Sequence, residues 1–535
     1  MSRDNGIFVD FYYRYTKSQN QIKGDLFSER IHQAPILLIS ASKLLGLFLG
    51  RSKIVDNVCG RTPMVKLFVR FLCGNAQLIL RSPEHAPVTP SLQDFSITDT
   101  LFDLIVIGSG PGGSIAALRG AEIGKMVLIV EAGEAYPPSS IEHHSLSQTI
   151  KQFRNGGLNF IWGTKPVLFA EGMTLGGGSE VNSGLYHRLE GHRRTEILSA
   201  VGASEEEWSE LEKLVEREIS VQLSPKSTTP DHGLVLGALR EGLVCKEIPR
   251  WRKYEPSEEH QGMLVTYLQR AKESGAKVLV NSQVNRLTPK KNCIEVEVYD
   301  AASGTKRMFK SKEVVLAAGT LETPRILHRS KLSSSSFPLN FHPMLRAVAA
   351  QDKVINDGDL FPSWQAWDTD HQYKYGYSVS TYPYLAATLR SLGEDRDFSD
   401  NELSYMAAYF SSFALSDSKA KLRRFGDTLI PTISFGKRDN ISMGKSSKHL
   451  MDLLGSGGAT ELWPKKGISP VTTVHLFGSM PIGRSKLIND KGRLITESRI
   501  RISDGSLMPQ APWGNPQGAI MVLCELMAKR AHHEK

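Results

Sequence analysis

The sequence predicts an α/β protein: a three-layer domain around a parallel sheet, a second domain on a mostly antiparallel sheet, and a helical N-terminal extension. Three observations carry this. From Phe102, an apolar run, a glycine-rich turn, a helical stretch and a second apolar run follow one another directly. Residues 340–470 are rich in aromatics set in alternating patterns. Residues 1–82 place Met64, Leu67, Phe68, Phe71 and Leu72 at helical spacing, with Lys66 and Arg70 on another face.

A chain of 535 residues exceeds one ordinary core. Its 40% hydrophobic and 23% charged residues exclude a disordered, collagen-like or polytopic membrane protein. Five cysteines, widely spaced and without a CxxC pair, argue against a disulfide framework or zinc site, and no signal peptide is read at the front. The expected home is therefore cytoplasmic. Much of the formal net charge of +9 lies in residues 1–82, which hold 12 Lys and Arg against 5 Asp and Glu. Those cations alternate with aliphatics and match no nucleic-acid motif. The apolar stretch Ala34–Leu49, interrupted by Lys43, falls short of the roughly 20 residues a spanning helix needs. The extension is expected to pack on the body, with peripheral membrane contact as the second reading. The proline-rich segment from Ser82 to Pro90 opens a linker, residues 83–100.

Phe102–Ile107 suits a strand buried on both faces, Ile115–Gly124 a helix, and Met126–Val130 the second strand. Between strand and helix, Gly108-Ser109-Gly110-Pro111-Gly112-Gly113 fits G-x-G-x-x-G, the turn that brings backbone against a pyrophosphate at a helix N-terminus. Glu131, 18 residues after Gly113, stands where a carboxylate can accept from ribose hydroxyls. This is a Rossmann-like dinucleotide site, and the motif alone does not choose between nicotinamide and flavin.

Other segments choose. Leu175-Gly176-Gly177-Gly178-Ser179-Glu180-Val181-Asn182 is a second glycine cluster; Ala317-Ala318-Gly319 runs into a helix read as starting at Thr323-Pro324. Val474-His475-Leu476-Phe477-Gly478 and Ser503-Asp504-Gly505 precede Asn515-Pro516-Gln517 near the C-terminus. Together these resemble the glucose-methanol-choline (GMC) FAD-dependent oxidoreductases over residues 101–535, nearest in motif to the cholesterol-oxidase and long-chain-alcohol-oxidase branches. Met173 and Ser330–Ser333 depart from the family pattern. The resemblance implies FAD held by Gly108, Ser109, Gly110, Pro111, Gly113, Glu131, Gly177, Gly178, Asn182, Val284, Asp504, Gly505, Pro516 and Gln517. It implies non-covalent attachment, because Val181 stands where flavinylated members carry histidine.

The resemblance also makes His475 the base, or the donor to a developing alkoxide, with Asn515 orienting the same oxygen. A histidine near neutrality suits removal of a hydroxyl proton. His342, His143-His144 and His532-His533 lack partners at metal-ligand spacing and are read as structural or solvated, so no metal is expected. The implied reaction is oxidation of a small-molecule alcohol, with O2 or another electron acceptor. A flavoprotein lyase or decarboxylase, and a sugar or polyol in place of a lipid-like alcohol, stand as alternatives. The expected division is a discontinuous FAD domain of 101–190, 260–335 and 471–535, and a substrate domain of 191–259 and 336–470. Trp364, Trp367, Tyr373, Tyr375, Tyr377, Tyr382 and Tyr384 are read mainly as sheet core.

Overall fold

The computed structural model describes residues 100–532, apart from 226–228, 301–303, 334–335, 359–362 and 369–371. The N-terminal extension and nearly all of the linker lie outside the described residues.

The first sheet forms because its strands carry unbroken aliphatic runs. β1 (Leu101–Ile107) and β2 (Val127–Val130) flank α1 (Pro111–Glu122), and β1 pairs in parallel with both β2 and β3 (Lys306–Leu316). Pro111 is tolerated at the first helical position, so α1 begins earlier than the apolar periodicity suggested. Lys277–Leu279 extends this seven-stranded sheet beside β2, and Ile500–Ile502 pairs in parallel with β3. Ser282–Pro289 and Ile294–Asp300 continue it antiparallel from β3. Lys277–Leu279 and Ser282–Pro289 are separate strands, parted where Asn281 takes a positive φ of 52°. Four parallel strands end on one edge, delivering Gly108, Glu131, Ala317 and Ser503 from distant stretches of chain to the same crevice.

α2 (Gly319–Arg329) begins upstream of the expected Thr323-Pro324 start and carries Pro324 inside it. Its early start has a tertiary cause. Asp504 accepts from Gly319 N–H at 2.9 Å and from Thr323 Oγ1 at 2.6 Å, supplying an N-terminal carboxylate that no local pattern announces.

The second sheet has nine strands and is mainly antiparallel. At its centre are β4 (Met344–Ala350), β5 (Trp364–Trp367), β6 (Lys374–Tyr377) and β7 (Met406–Ser412), ordered β4-β7-β6-β5. Asn159–Ile161, Val167–Phe169 and Thr472–Thr473 join it beyond β4. Strand alternation sends Ala347, Ala349, Tyr375, Tyr377, Ala407 and Tyr409 onto one face, where they bury Leu234, Val235, Leu450 and Leu453 of the helices Gly233–Arg240 and Lys437–Ser456. Tyr375 and Tyr377 thus serve the core, as expected. The opposite face carries Met344, Arg346, Gln365, Trp367, Lys374 and Phe410.

Candidate active site

The two glycine clusters meet. A Cβ on Gly177, whose φ is +61°, would lie 2.7 Å from Gly110 Cα; on Gly112 it would lie 1.9 Å from Ser503 O, and on Gly113 1.9 Å from Gly108 O. Only glycine permits this approach of α1, both loops and the C-terminal strand. Ser109 links them: Gly176 N–H donates to Ser109 Oγ at 3.0 Å, and Ser109 donates from Oγ (2.7 Å) and N–H (2.9 Å) to Glu131 Oε2. Gly133 N–H donates to Glu131 Oε1 at 2.7 Å, so Glu131 ties the turn together and has one of its about four acceptor positions left for a ribose hydroxyl. The N-terminus of α1 has no side-chain cap and no acidic residue in its first turn, which leaves its amides available to an anion. This cradle fits a dinucleotide pyrophosphate.

Asn182 donates to Gly178 O at 2.9 Å and to Gln517 Oε1 at 2.8 Å. Gln517 opens α3 (Gln517–His532), whose first carbonyl partner is Pro516 O, so the second glycine cluster is fastened to the C-terminal helix. Gly178 is exposed beside them. Asp504 also accepts from Ser506 N–H at 2.8 Å, and burial pushes its carboxyl upward against those hydrogen bonds. Gly505 O accepts from Gly478 N–H at 2.8 Å, stapling the His475 loop to this segment. Val284 lies in the first sheet with its carbonyl taken by Arg329 at 3.3 Å.

His475 does not stand alone. Its Nδ1 is 3.1 Å from Nδ1 of His342, the rings crossing at 89°, and His342 Nε2 is 3.0 Å from Pro512 O. His342 is thus buried and hydrogen-bonded to His475, not solvated. The protonation pattern follows from the chain of partners. A carbonyl only accepts, so His342 Nε2 carries the proton. Burial holds His342 down to about 3, so the ring is neutral and its Nδ1 is bare. His475 Nδ1 must then donate, and burial keeps His475 neutral too, well below the ordinary histidine range. Its Nε2 is left as a free lone pair that takes no hydrogen bond from the described residues.

Asn515 is oriented by the same logic. Lys374 Nζ donates to Asn515 Oδ1 at 3.0 Å, so the amide nitrogen faces away as a donor. Asn515 N–H donates to His187 Nδ1 at 3.3 Å, and His187 Nε2 donates to Gln365 Oε1 at 2.9 Å. Burial brings Lys374 down to about 7. Trp367 and Trp513 meet edge to face at 4.7 Å, with Lys374 5.8 Å from the Trp513 ring. His187, His342 and Lys374 carried no sequence signal. Lys374 reads as the solvent-facing member of Tyr373-Lys374-Tyr375-Gly376-Tyr377, whereas both faces of β6 are covered. His144 is buried edge-on to Tyr384 and His143 stacks near His260; no cluster of three metal-capable side chains occurs among the described residues.

Comparison with known proteins bears on this site. Residues 149–344 and 460–524 match the N- and C-terminal GMC oxidoreductase family models. An uncharacterized GMC-type oxidoreductase of Sinorhizobium fredii is 24% identical over 476 residues, covering 80% of this chain and 94% of that one. A long-chain-alcohol oxidase of Arabidopsis thaliana is 28% identical over 272 residues, covering 46% of this chain and 36% of the oxidase. The structure of pyridoxine 4-oxidase from Mesorbium loti superposes with a TM-score of 0.62 at 16% identity, over 81% of this chain and 99% of that one, a likeness of fold. With both family models matched and these relatives alongside, the chain belongs to the GMC oxidoreductases, which are FAD-binding flavoproteins.

Proposed function

We propose that the protein oxidises an alcohol to a carbonyl compound, with His475 as base, Asn515 as the donor that orients the alcohol oxygen, and FAD held without a covalent bond. The observation that carries this is the hydrogen-bond chain from Pro512 O through His342 to His475, which leaves Nε2 unprotonated. When bound, FAD supplies the two-electron acceptor for the hydride leaving the carbinol carbon. The protein's own part is the proton. His475 Nε2 takes it from the hydroxyl as the C–H bond breaks, and the Asn515 amide nitrogen donates to the oxygen on which negative charge develops. Lys374, donating to Oδ1, keeps that amide from turning its carbonyl toward the substrate.

The residues proposed to hold FAD are those of the glycine cradle and its fastenings: Gly108–Gly113, Glu131, Gly177, Gly178, Asn182, Asp504, Gly505, Pro516 and Gln517. Anaerobic mixing of the yellow protein with fatty alcohols, sterols, sugars and polyols tests the reaction. Bleaching of the flavin band by an alcohol supports it; a flavin that no alcohol in the panel bleaches refutes it. Flavin released by acid precipitation supports non-covalent attachment, and flavin retained in the pellet contradicts it.

A further inference from the structure

The face of the second sheet turned away from its helices runs in rows set by register. Met344, Ser412, Lys374 and Trp367 form one row, and Arg346, Phe410, Gly376 and Gln365 the next. The first row reaches the site through Lys374, on Asn515, and Trp367, against Trp513. The row beyond, with Val348 and Ala408, is covered by Leu385 and Leu389 of the helix Tyr382–Ser391. Arg346 therefore lies between the site and this cover. A Cβ at Gly376 would be 2.8 Å from the Phe410 ring, so the missing side chain makes room for that ring.

Arg346 is deeply enclosed yet keeps some accessible surface. Its guanidinium is poorly satisfied. Nη1 makes one long contact to Ser378 Oγ at 3.5 Å, Nε has no partner, and no carboxylate of the described residues lies within ion-pair distance. Three other enclosed arginines are paired: Arg119 has Glu525 at 2.7 Å, Arg194 has Glu212 at 2.8 Å and Arg329 has Glu322 at 2.7 Å. Lys374, two strands away, has no carboxylate either. Burying an uncompensated guanidinium costs several kcal/mol, and its planar fork matches a carboxylate edge. Strand spacing and rise put the Arg346 and Lys374 Cα atoms about 12 Å apart. Phe410, on the intervening strand β7, pairs with Arg346, and its ring centroid is 5.8 Å from Lys374 Nζ.

We propose that Arg346 is an anion anchor and that the substrate is a hydroxy acid, its carboxylate on Arg346, its apolar spacer along Phe410 and its hydroxyl between His475 and Asn515. The hydroxyl's place rests on the alcohol-oxidising reading above, whereas the anion site stands on Arg346 itself. The test uses the full-length FAD-loaded protein, titrated without oxygen with ω-hydroxyalkanoates of increasing chain length, their methyl esters, and the matching alkanoates that lack a hydroxyl. Binding is read from the flavin spectrum and reduction from its bleaching.

For the best-fitting length the acid should bind about 10- to 100-fold more tightly than its ester, the range of a charge-assisted pair. Arg346→Met should erase that preference and leave ester binding within about twofold; Arg346→Lys, which keeps the charge, should retain part of it. Equal binding of acid and ester, or an Arg346→Met protein that binds the acid as the parent does, overturns the anchor. If neutral alcohols bleach the flavin while acids do not bind, the anchor falls and the alcohol reading stands. If alkanoates perturb the flavin through Arg346 and no hydroxy compound bleaches it, the anchor stands and the oxidation falls.

Discussion

Lys374→Met separates a group kept for chemistry from one kept for stability. Burial lowers the Lys374 ammonium from 10.5 to about 7, so at neutral pH folding pays a penalty on the order of 4 kcal/mol to take it inside. Methionine removes the charge and keeps most of the volume. It also leaves Asn515 Oδ1 without its donor, a loss of about 1–3 kcal/mol. The first effect exceeds the second, so the variant is more stable by on the order of 1–3 kcal/mol at about pH 6. The sign follows from proton counts. Between the folded and unfolded values the unfolded chain holds the extra proton, so the wild-type penalty is full below about pH 7 and fades as pH rises toward 10.5. Near pH 10 only the lost hydrogen bond remains and the order reverses. Denaturant unfolding of both proteins under saturating FAD at the two pH values measures this, and anaerobic stopped flow should show reduction slowed about tenfold as the amide loses its orientation. A variant less stable at pH 6, a gap that does not change with pH, or unaltered reduction would refute the reasoning.

Other perturbations follow from the same geometry. His342→Phe removes the acceptor of His475 Nδ1–H and frees the imidazole to change tautomer; reduction should slow about 10- to 100-fold with FAD still bound, as read by stopped flow. Gly112→Ala drives a Cβ to within 1.9 Å of Ser503 O and 2.9 Å of Cys524 Sγ, and purified protein should be colourless or unfolded, with a cost of about 3 kcal/mol or more. Asp504→Asn turns an amide onto Gly319 N–H, Thr323 Oγ1 and Ser506 N–H, and should lower both FAD content and melting temperature. Because burial and then His342, Lys374 and His187 hold His475 well below 6.5, the imidazole stays neutral until pH falls through that lowered value. In the Lys374→Met background the reduction rate should therefore stay level to well under pH 6.5, and a fall centred on 6.5 would contradict it.

The parallel sheet and its cofactor cradle were legible because their requirements are local. Phe102–Ile107 and Met126–Val130 are nearly unbroken apolar runs, and Gly112 and Gly113 are forced by contacts at 1.9 Å. Where structure is set by distant partners, local pattern does not show it. α2 starts at Gly319 because Asp504 arrives from 185 residues away. The site was half visible. His475 and Asn515, the proposed base and donor, are singled out by motifs. His342, His187, Lys374 and Arg346 are not, because each sits in a segment whose alternation is that of an ordinary strand or turn. Only the tertiary pairing of β4, β6 and β7, and the carbonyl of Pro512, give those residues a role.

The direct test of the central claim is the rate of flavin reduction by an alcohol, without oxygen, in wild type and in His475→Ala, both shown to carry one FAD. The lone pair at Nε2 predicts that the alanine protein stays yellow while the wild type bleaches. Bleaching of both at the same rate would remove His475 from the chemistry.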